Sequence, residues 1–181
     1  MSRLFTALAV PDAADDALSS LCHGIPGANW TLPGEFHLTL RFIGDLGPEA
    51  IEDLKDALDD VNGPPFDLQL EGTGVFETRG VPRVLWAGIA RNDSLFELQR
   101  AVERATVAAG LPHDRRKFHA HVTLARLPDA PHITERVVEF LTANAQFRTD
   151  PWKVDAFRLY SSRLRDDGPQ YQMEVEWPLD L

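Results

Sequence analysis

The sequence predicts an α+β fold with largely antiparallel sheets, and three observations carry that expectation. Helical and extended patterns do not alternate strictly along the 181 residues. In two places consecutive strands follow one another with no helix between them. A strand carrying histidine and threonine, followed by a helix, occurs once in each half. Strict βα alternation would have pointed to a doubly wound parallel sheet instead. With 44% hydrophobic and 25% charged residues, the chain suits one domain, or two intimately packed halves, around a substantial core.

Taken in order, Leu4 to Val10 is a short apolar run stopped by Pro11, the pattern of a buried strand. Asp12 is a suitable N-cap for a helix to about Cys22, with Leu18, Leu21 and Cys22 as its apolar stripe. Gly24, Pro26 and Gly27 break it. A strand from Phe36 to Ile43 follows and closes at Gly44-Asp45. Unbroken alternation there puts Leu38, Leu40 and Phe42 on one face and His37, Thr39 and Arg41 on the other. Pro48-Glu49 opens a second helix to about Val61, striped by Ile51, Leu54 and Leu58. Phe66, Leu68 and Leu70 alternate with polar residues as a half-buried strand whose end Gly72 and Gly74 loosen. Val84 to Ala90 is apolar on both faces at Leu85-Trp86-Ala87, which places it centrally in its sheet.

Asn92, Asp93 or Ser94 caps a third helix striped by Leu95, Leu98, Val102 and Ala105. After Gly110 and Pro112, a linker with Arg115, Arg116 and Lys117 leads to the second histidine–threonine strand. Ile133 to Leu141 is a fourth helix. Strands from Trp152 to Ser161 and from Tyr171 to Trp177 flank a turn-forming stretch over residues 163–169.

The doubled element is a tetrapeptide: His37-Leu38-Thr39-Leu40 and, 84 residues later, His121-Val122-Thr123-Leu124. A period of two directs each His and Thr to one face and the aliphatic pair to the other. One such tetrapeptide is ordinary strand packing; two with matching partners point to a site. With an ordinary pKa near 6.5, two facing histidines can divide labour, one giving a proton and one taking it. Threonine hydroxyls can bind phosphate oxygens without adding charge. Such a set suits metal-free phosphoryl chemistry on an anionic diester.

The formal net charge of −10 excludes a broad basic surface for coating nucleic acid, though not a local basic pocket. Cys22 is the only cysteine, which precludes an intrachain disulfide and reads as a packing residue. No signal-peptide pattern and no apolar run of membrane-spanning length occur, so a cytoplasmic, soluble monomer is expected, without a membrane partner.

Fuller motifs carry a resemblance. Arg3 to Leu8, His37-Leu38-Thr39-Leu40-Arg41-Phe42-Ile43-Gly44, Pro82 to Gly88, His121-Val122-Thr123-Leu124-Ala125-Arg126, Leu159-Tyr160-Ser161-Ser162 and Gly168-Pro169-Gln170-Tyr171 span nearly the whole chain. Together they resemble the two-histidine phosphoesterase superfamily, in particular its RNA 2′,3′-cyclic phosphodiesterase branch, the LigT-like 2′–5′ RNA ligases. The resemblance implies a bilobal fold of two pseudo-symmetric halves around a central cleft, with helices outside. It implies hydrolysis of a terminal 2′,3′-cyclic phosphate, on RNA or a small cyclic nucleotide, to a 2′-phosphate without a cofactor. It assigns His37 as proton donor and His121 as proton acceptor, which the two near-equivalent motifs alone leave open. It also assigns Thr39, Thr123 and Arg126 to the phosphate.

Arg126 would face away from His121 on an unbroken strand, so the strand is expected to end or bulge near Ala125. Arg41 shares parity with His37 and Thr39, which offers it either to substrate or to an acidic neighbour at the surface. Phe42 fits the core or a stacking role at the cleft edge. Arg115, Arg116 and Lys117 suit either steering of an RNA end or a solvated loop. His23, His113 and His132 read as surface residues. Two other function classes compete. His119 and His121 form a His-x-His pair compatible with a metal-dependent hydrolase, although no carboxylate or cysteine cluster accompanies it. A non-catalytic protein that binds RNA ends would keep the cleft without the chemistry.

Overall fold

Among the described residues, ten strands and four helices order themselves as β1 (Arg3–Ala9), α1 (Asp12–Leu21), β2 (Asn29–Trp30), β3 (His37–Gly44), α2 (Pro48–Asp59), β4 (Phe66–Leu68), β5 (Leu70–Thr78), β6 (Val81–Ile89), α3 (Asp93–Ala108), β7 (His121–Arg126), α4 (Ile133–Ala143), β8 (Trp152–Val154), β9 (Ala156–Arg165) and β10 (Gly168–Pro178). The computed structural model describes residues 3–165 and 168–180. Every strand pairing is antiparallel, as the α+β reading requires. The principal sheet runs β10-β9-β1-β3-β7-β6-β5, with β2 also on β7, and β4 and β8 form a separate pair.

The two motif strands, β3 and β7, lie side by side in the middle of this sheet. They register at one pair only, Leu38 with Val122, whereas β1 and β9 behind β3, and β6 and β5 behind β7, pair over many residues. The sheet is therefore two antiparallel halves joined at a narrow seam. The aliphatic positions of both tetrapeptides are buried: Leu38 and Val122 are 1% exposed, Leu40 3% and Leu124 0%. They belong to one continuous core with Leu18 of α1, Leu54 and Leu58 of α2, Leu95 and Val102 of α3, and Val137 of α4. Each fully buried leucine contributes roughly 1.5–3 kcal/mol relative to exposure.

Several element boundaries differ from the expectation for physical reasons. Pro11, not Asp12, occupies the cap position of α1, and Asp12 is its first helical residue. The third helix is capped as expected, the Asn92 side chain accepting from the Leu95 N–H at 3.0 Å. The glycines at 72 and 74 do not end a strand. β5 runs through both to Thr78, because Gly72 sits at a positive φ of 72° inside a register shift and Gly74 leaves room for the Trp86 indole. The short β2 follows a turn and carries too few residues to show alternation. The expected strand over residues 152–161 divides at Asp155 into β8 and β9. Of the expected turn before β10, residues 166 and 167 lie outside the described residues. Among the described residues no helix is long and apolar enough to cross a membrane.

Candidate active site

Each motif strand carries a bulge at the same place, the last residue of its tetrapeptide. On β3, Ala7 pairs with Thr39 and Thr6 with Arg41, so Leu40 is extra against β1. On β7, Trp86 pairs with Thr123 and Leu85 with Ala125, so Leu124 is extra against β6. A bulge inserts one residue and inverts the alternation beyond it. Leu40 and Arg41 are accordingly both buried, as are Leu124 and Ala125, and the next residues, Phe42 and Arg126, are exposed.

These bulges settle the facing of three sequence-predicted residues. Arg126 pairs with Val84, two residues from Trp86 on β6, and therefore shares a face with Thr123 and His121. The expected bulge near Ala125 is present, one residue earlier. Phe42 pairs with Phe5 and shares the face of Ala7 and Thr39; it is 54% exposed, so the core reading of Phe42 is corrected. Arg41 has the acidic neighbour that the sequence allowed it, Glu103, but its expected place at the surface and on the cleft face is corrected. It turns to the opposite face, is 9% exposed, and gives Nε to Glu103 Oε2 at 2.5 Å, Nη1 to the Phe42 carbonyl at 2.5 Å and Nη2 to the Pro112 carbonyl at 2.6 Å. Each guanidinium nitrogen is thus engaged, and Nε and Nη2 hold β3 against α3 and the linker that follows it.

The two histidines are oriented by the same device. His37 Nδ1 lies 2.8 Å from the carbonyl of Glu35, and His121 Nδ1 lies 2.7 Å from the carbonyl of His119. A carbonyl only accepts, so Nδ1 carries the hydrogen in both rings and Nε2 is left to exchange protons. Burial holds both pKa values below the ordinary 6.5. The Nδ1 hydrogen bonds push back upward, while His121 depresses His37 and His119 depresses His121. Depression of His37 by the His121 charge suits a pair in which one ring is neutral while the other is charged.

Aromatic side chains fix both imidazoles. Phe5 lies under His37 at 4.9 Å between centroids, and Tyr171 of β10 meets its edge at 5.1 Å. Phe76 meets His121 edge-on at 4.8 Å, and Trp86 backs His119 at 4.8 Å. The Trp86 indole lies so close over Gly74 that a Cβ there would stand 2.2 Å from the ring. Tyr171 links the halves electrostatically. Burial and Glu35 raise its phenol pKa, and the Arg126 guanidinium from β7 partly offsets them. Thr39 and Thr123 are half-buried beside the histidines, and among the described residues neither hydroxyl has a protein hydrogen-bond partner.

The remaining residues fall into place. His119 supports His121 through its backbone carbonyl. Its ring lies 6.0 Å from that of His121, and no group of three or more His, Cys, Asp or Glu that could hold a metal occurs among the described residues. His113 is 67% exposed yet pairs with Glu103 at 2.7 Å, a partner its sequence context does not announce. His132 is exposed beside Glu135. Cys22 is half-buried against the core, its Sγ on the Leu18 carbonyl, and burial raises its thiol to about 11, unsuited to a nucleophile. Arg115, Arg116 and Lys117 are exposed and line a pocket that also reaches Thr39 and His121. Sequence reasoning gave no role to Phe5, Phe76, Trp86 or Tyr171. Phe5, Trp86 and Tyr171 lie within the motifs that carry the family resemblance and Phe76 lies in none, since strand pairing between distant segments is what assembles them.

A model of the 2′-5′ RNA ligase superfamily matches residues 11–166. A protein of Aquifex aeolicus named RNA 2′,3′-cyclic phosphodiesterase is 31% identical over 182 residues, covering 97% of this chain and 94% of the relative. A Geobacillus stearothermophilus protein of the same name is 31% identical over 186 residues; the chain spans 57% of that relative's length. Among solved structures, E. coli LigT complexed with 3′-AMP superposes with a TM-score of 0.81 at 22% identity over 99% of both chains. That likeness bears on the fold.

Proposed function

The chain belongs to the 2′-5′ RNA ligase superfamily, and from that membership we propose that it is a metal-independent RNA 2′,3′-cyclic phosphodiesterase that uses the two tetrapeptides as acid and base. His121 Nε2 takes a proton from water as the water oxygen bonds to phosphorus. The bond from phosphorus to the 3′ oxygen breaks, and His37 Nε2 returns a proton to that oxygen, leaving a 2′-phosphate. Thr39 and Thr123 donate to the non-bridging oxygens, and Arg126 balances their charge, so donors meet the place where charge develops. A 5′-hydroxyl in place of water would give a 2′–5′ linkage by the same step, in keeping with the superfamily's name.

The observation that supports this reading best is the matched pair of imidazoles, each held through Nδ1 by the carbonyl two residues upstream, each beside a threonine whose hydroxyl has no protein hydrogen-bond partner among the described residues. The test is 31P NMR of an oligoribonucleotide ending in a 2′,3′-cyclic phosphate, incubated with the protein in excess chelator. A terminal 2′-phosphate is the expected product. A 3′-phosphate, or turnover only after a divalent cation is restored, would overturn the proposal.

A further inference from the structure

The narrow seam between β3 and β7 leaves two forks, one on each side of the Leu38–Val122 pair. One fork is filled. β2 pairs there with Arg126 and Ala125, the Thr31 N–H reaches the Leu124 carbonyl at 2.8 Å, and the Thr31 hydroxyl reaches the Thr123 carbonyl at 3.0 Å. The other fork, where residues 39–42 diverge from residues 118–121, is open. It holds a pocket of about 580 Å³ floored by α3 and the linker, with Thr39 and His121 on its inner wall.

The chemistry of this pocket is unlike that of the rest of the molecule. Of the chain's 18 lysines and arginines, six line it: Arg41, Arg100, Arg104, Arg115, Arg116 and Lys117. Against them stand two carboxylates, Glu103 and Asp114, so the pocket carries +4 in a chain whose net charge is −10. Both carboxylates are already engaged. Glu103 takes Arg41 and His113, and Asp114 takes Arg116 at 2.9 Å, which holds its carboxyl down at about 2. Arg100, Arg104, Arg115 and Lys117 have no carboxylate within 4.0 Å among the described residues. The linker bearing two of them is braced by Arg41 on the Pro112 carbonyl and by Glu103 on the Asp114 N–H at 2.8 Å. Phe42, Phe76 and Phe118 share the lining, so the pocket offers aromatic rings as well as cations.

A cationic groove that also presents aromatic rings is the arrangement that holds single-stranded nucleic acid, the cations on phosphates and the rings on bases. We propose that the open fork is a strand-binding subsite, taking the phosphodiester backbone of the RNA that bears the reacting end. This rests on the phosphodiesterase reading for the identity of that end, but not for the binding itself. The filled fork keeps the strand to one side, and the subsite gives the enzyme its preference for an oligonucleotide over a cyclic mononucleotide.

The test uses the Arg100→Glu/Arg104→Glu and Arg115→Ala/Lys117→Ala variants of the full chain, with circular dichroism as a check on folding. One arm measures kcat/KM on a 2′,3′-cyclic-ended tetranucleotide and on 2′,3′-cyclic AMP; the other measures binding of a fluorescent single-stranded oligoribonucleotide against salt. Each folded variant should lose about tenfold or more in RNA affinity and in tetranucleotide kcat/KM, keep cyclic AMP turnover within about twofold, and show a salt dependence shallower by about one in slope. Unchanged RNA affinity, or equal losses on both substrates, would overturn the subsite. If the native protein turned over neither substrate, the phosphodiesterase reading would fall, and the binding arm alone would still decide the subsite.

Discussion

Replacing Arg41 by methionine removes a cation that is 9% exposed from a carboxylate, Glu103, that is 12% exposed and 2.5 Å away. Methionine preserves most of the stem's volume, so the perturbation is chiefly the loss of charge and donors. Stranding one member of a buried ion pair costs about 3–5 kcal/mol. Glu103 keeps His113 at 2.7 Å and the Asp114 N–H at 2.8 Å, which places Arg41→Met at the lower end, about 3 kcal/mol. Urea unfolding at neutral pH should show this as a lowered midpoint with an unchanged slope. In the Arg41→Met/Glu103→Gln double variant no buried charge is stranded, so its destabilisation should fall short of the summed single effects by about 1–2 kcal/mol. A single-variant loss below about 1 kcal/mol would show that Arg41 is a surface residue in solution and that the bulge at Leu40 is misplaced.

Two further outcomes follow from the site. Burial lowers both imidazole pKa values, so the acid histidine loses its proton, and the base histidine accepts one, below 6.5. The pH profile of kcat/KM should therefore be a bell peaking on the acid side of that value, whereas in kcat the alkaline limb should move upward as bound phosphate stabilises the imidazolium. A kcat/KM plateau extending through alkaline pH would contradict this. Gly74→Ala places a Cβ 2.2 Å from the Trp86 ring, which must move, at a cost of about 1–3 kcal/mol. Thermal unfolding should register the loss, and tryptophan fluorescence should shift; an unchanged spectrum and melting temperature would mean that the indole does not lie over Gly74.

What the sequence made legible, and what it did not, divides at the two bulges. Up to Thr39 and Thr123, a period of two assigns every side chain to its observed face. The first residue past each tetrapeptide breaks that rule, because a strand's period says nothing about an extra residue opposite a partner 35 positions away. Arg41 was placed on the cleft side for this reason. Arg126 was read correctly only because its motif demanded a position that alternation denied it. Gly74 resembled a strand end because its function, making room for Trp86, depends on a residue twelve positions later in another strand. Helices were easier: their stripes at Leu95, Leu98 and Val102 report on one element at a time. Glu35 and His119 act through backbone carbonyls, and no side-chain pattern encodes that.

The proposed mechanism depends on proton transfer by His37 and His121. Single-turnover hydrolysis of a 2′,3′-cyclic-ended RNA by His37→Ala and His121→Ala, each verified to unfold as cooperatively as the native chain, tests it most directly. Either substitution should lower the rate by about 10²–10⁴-fold, the scale of a lost general acid or base. A folded variant of either kind that retained near-native turnover would contradict it.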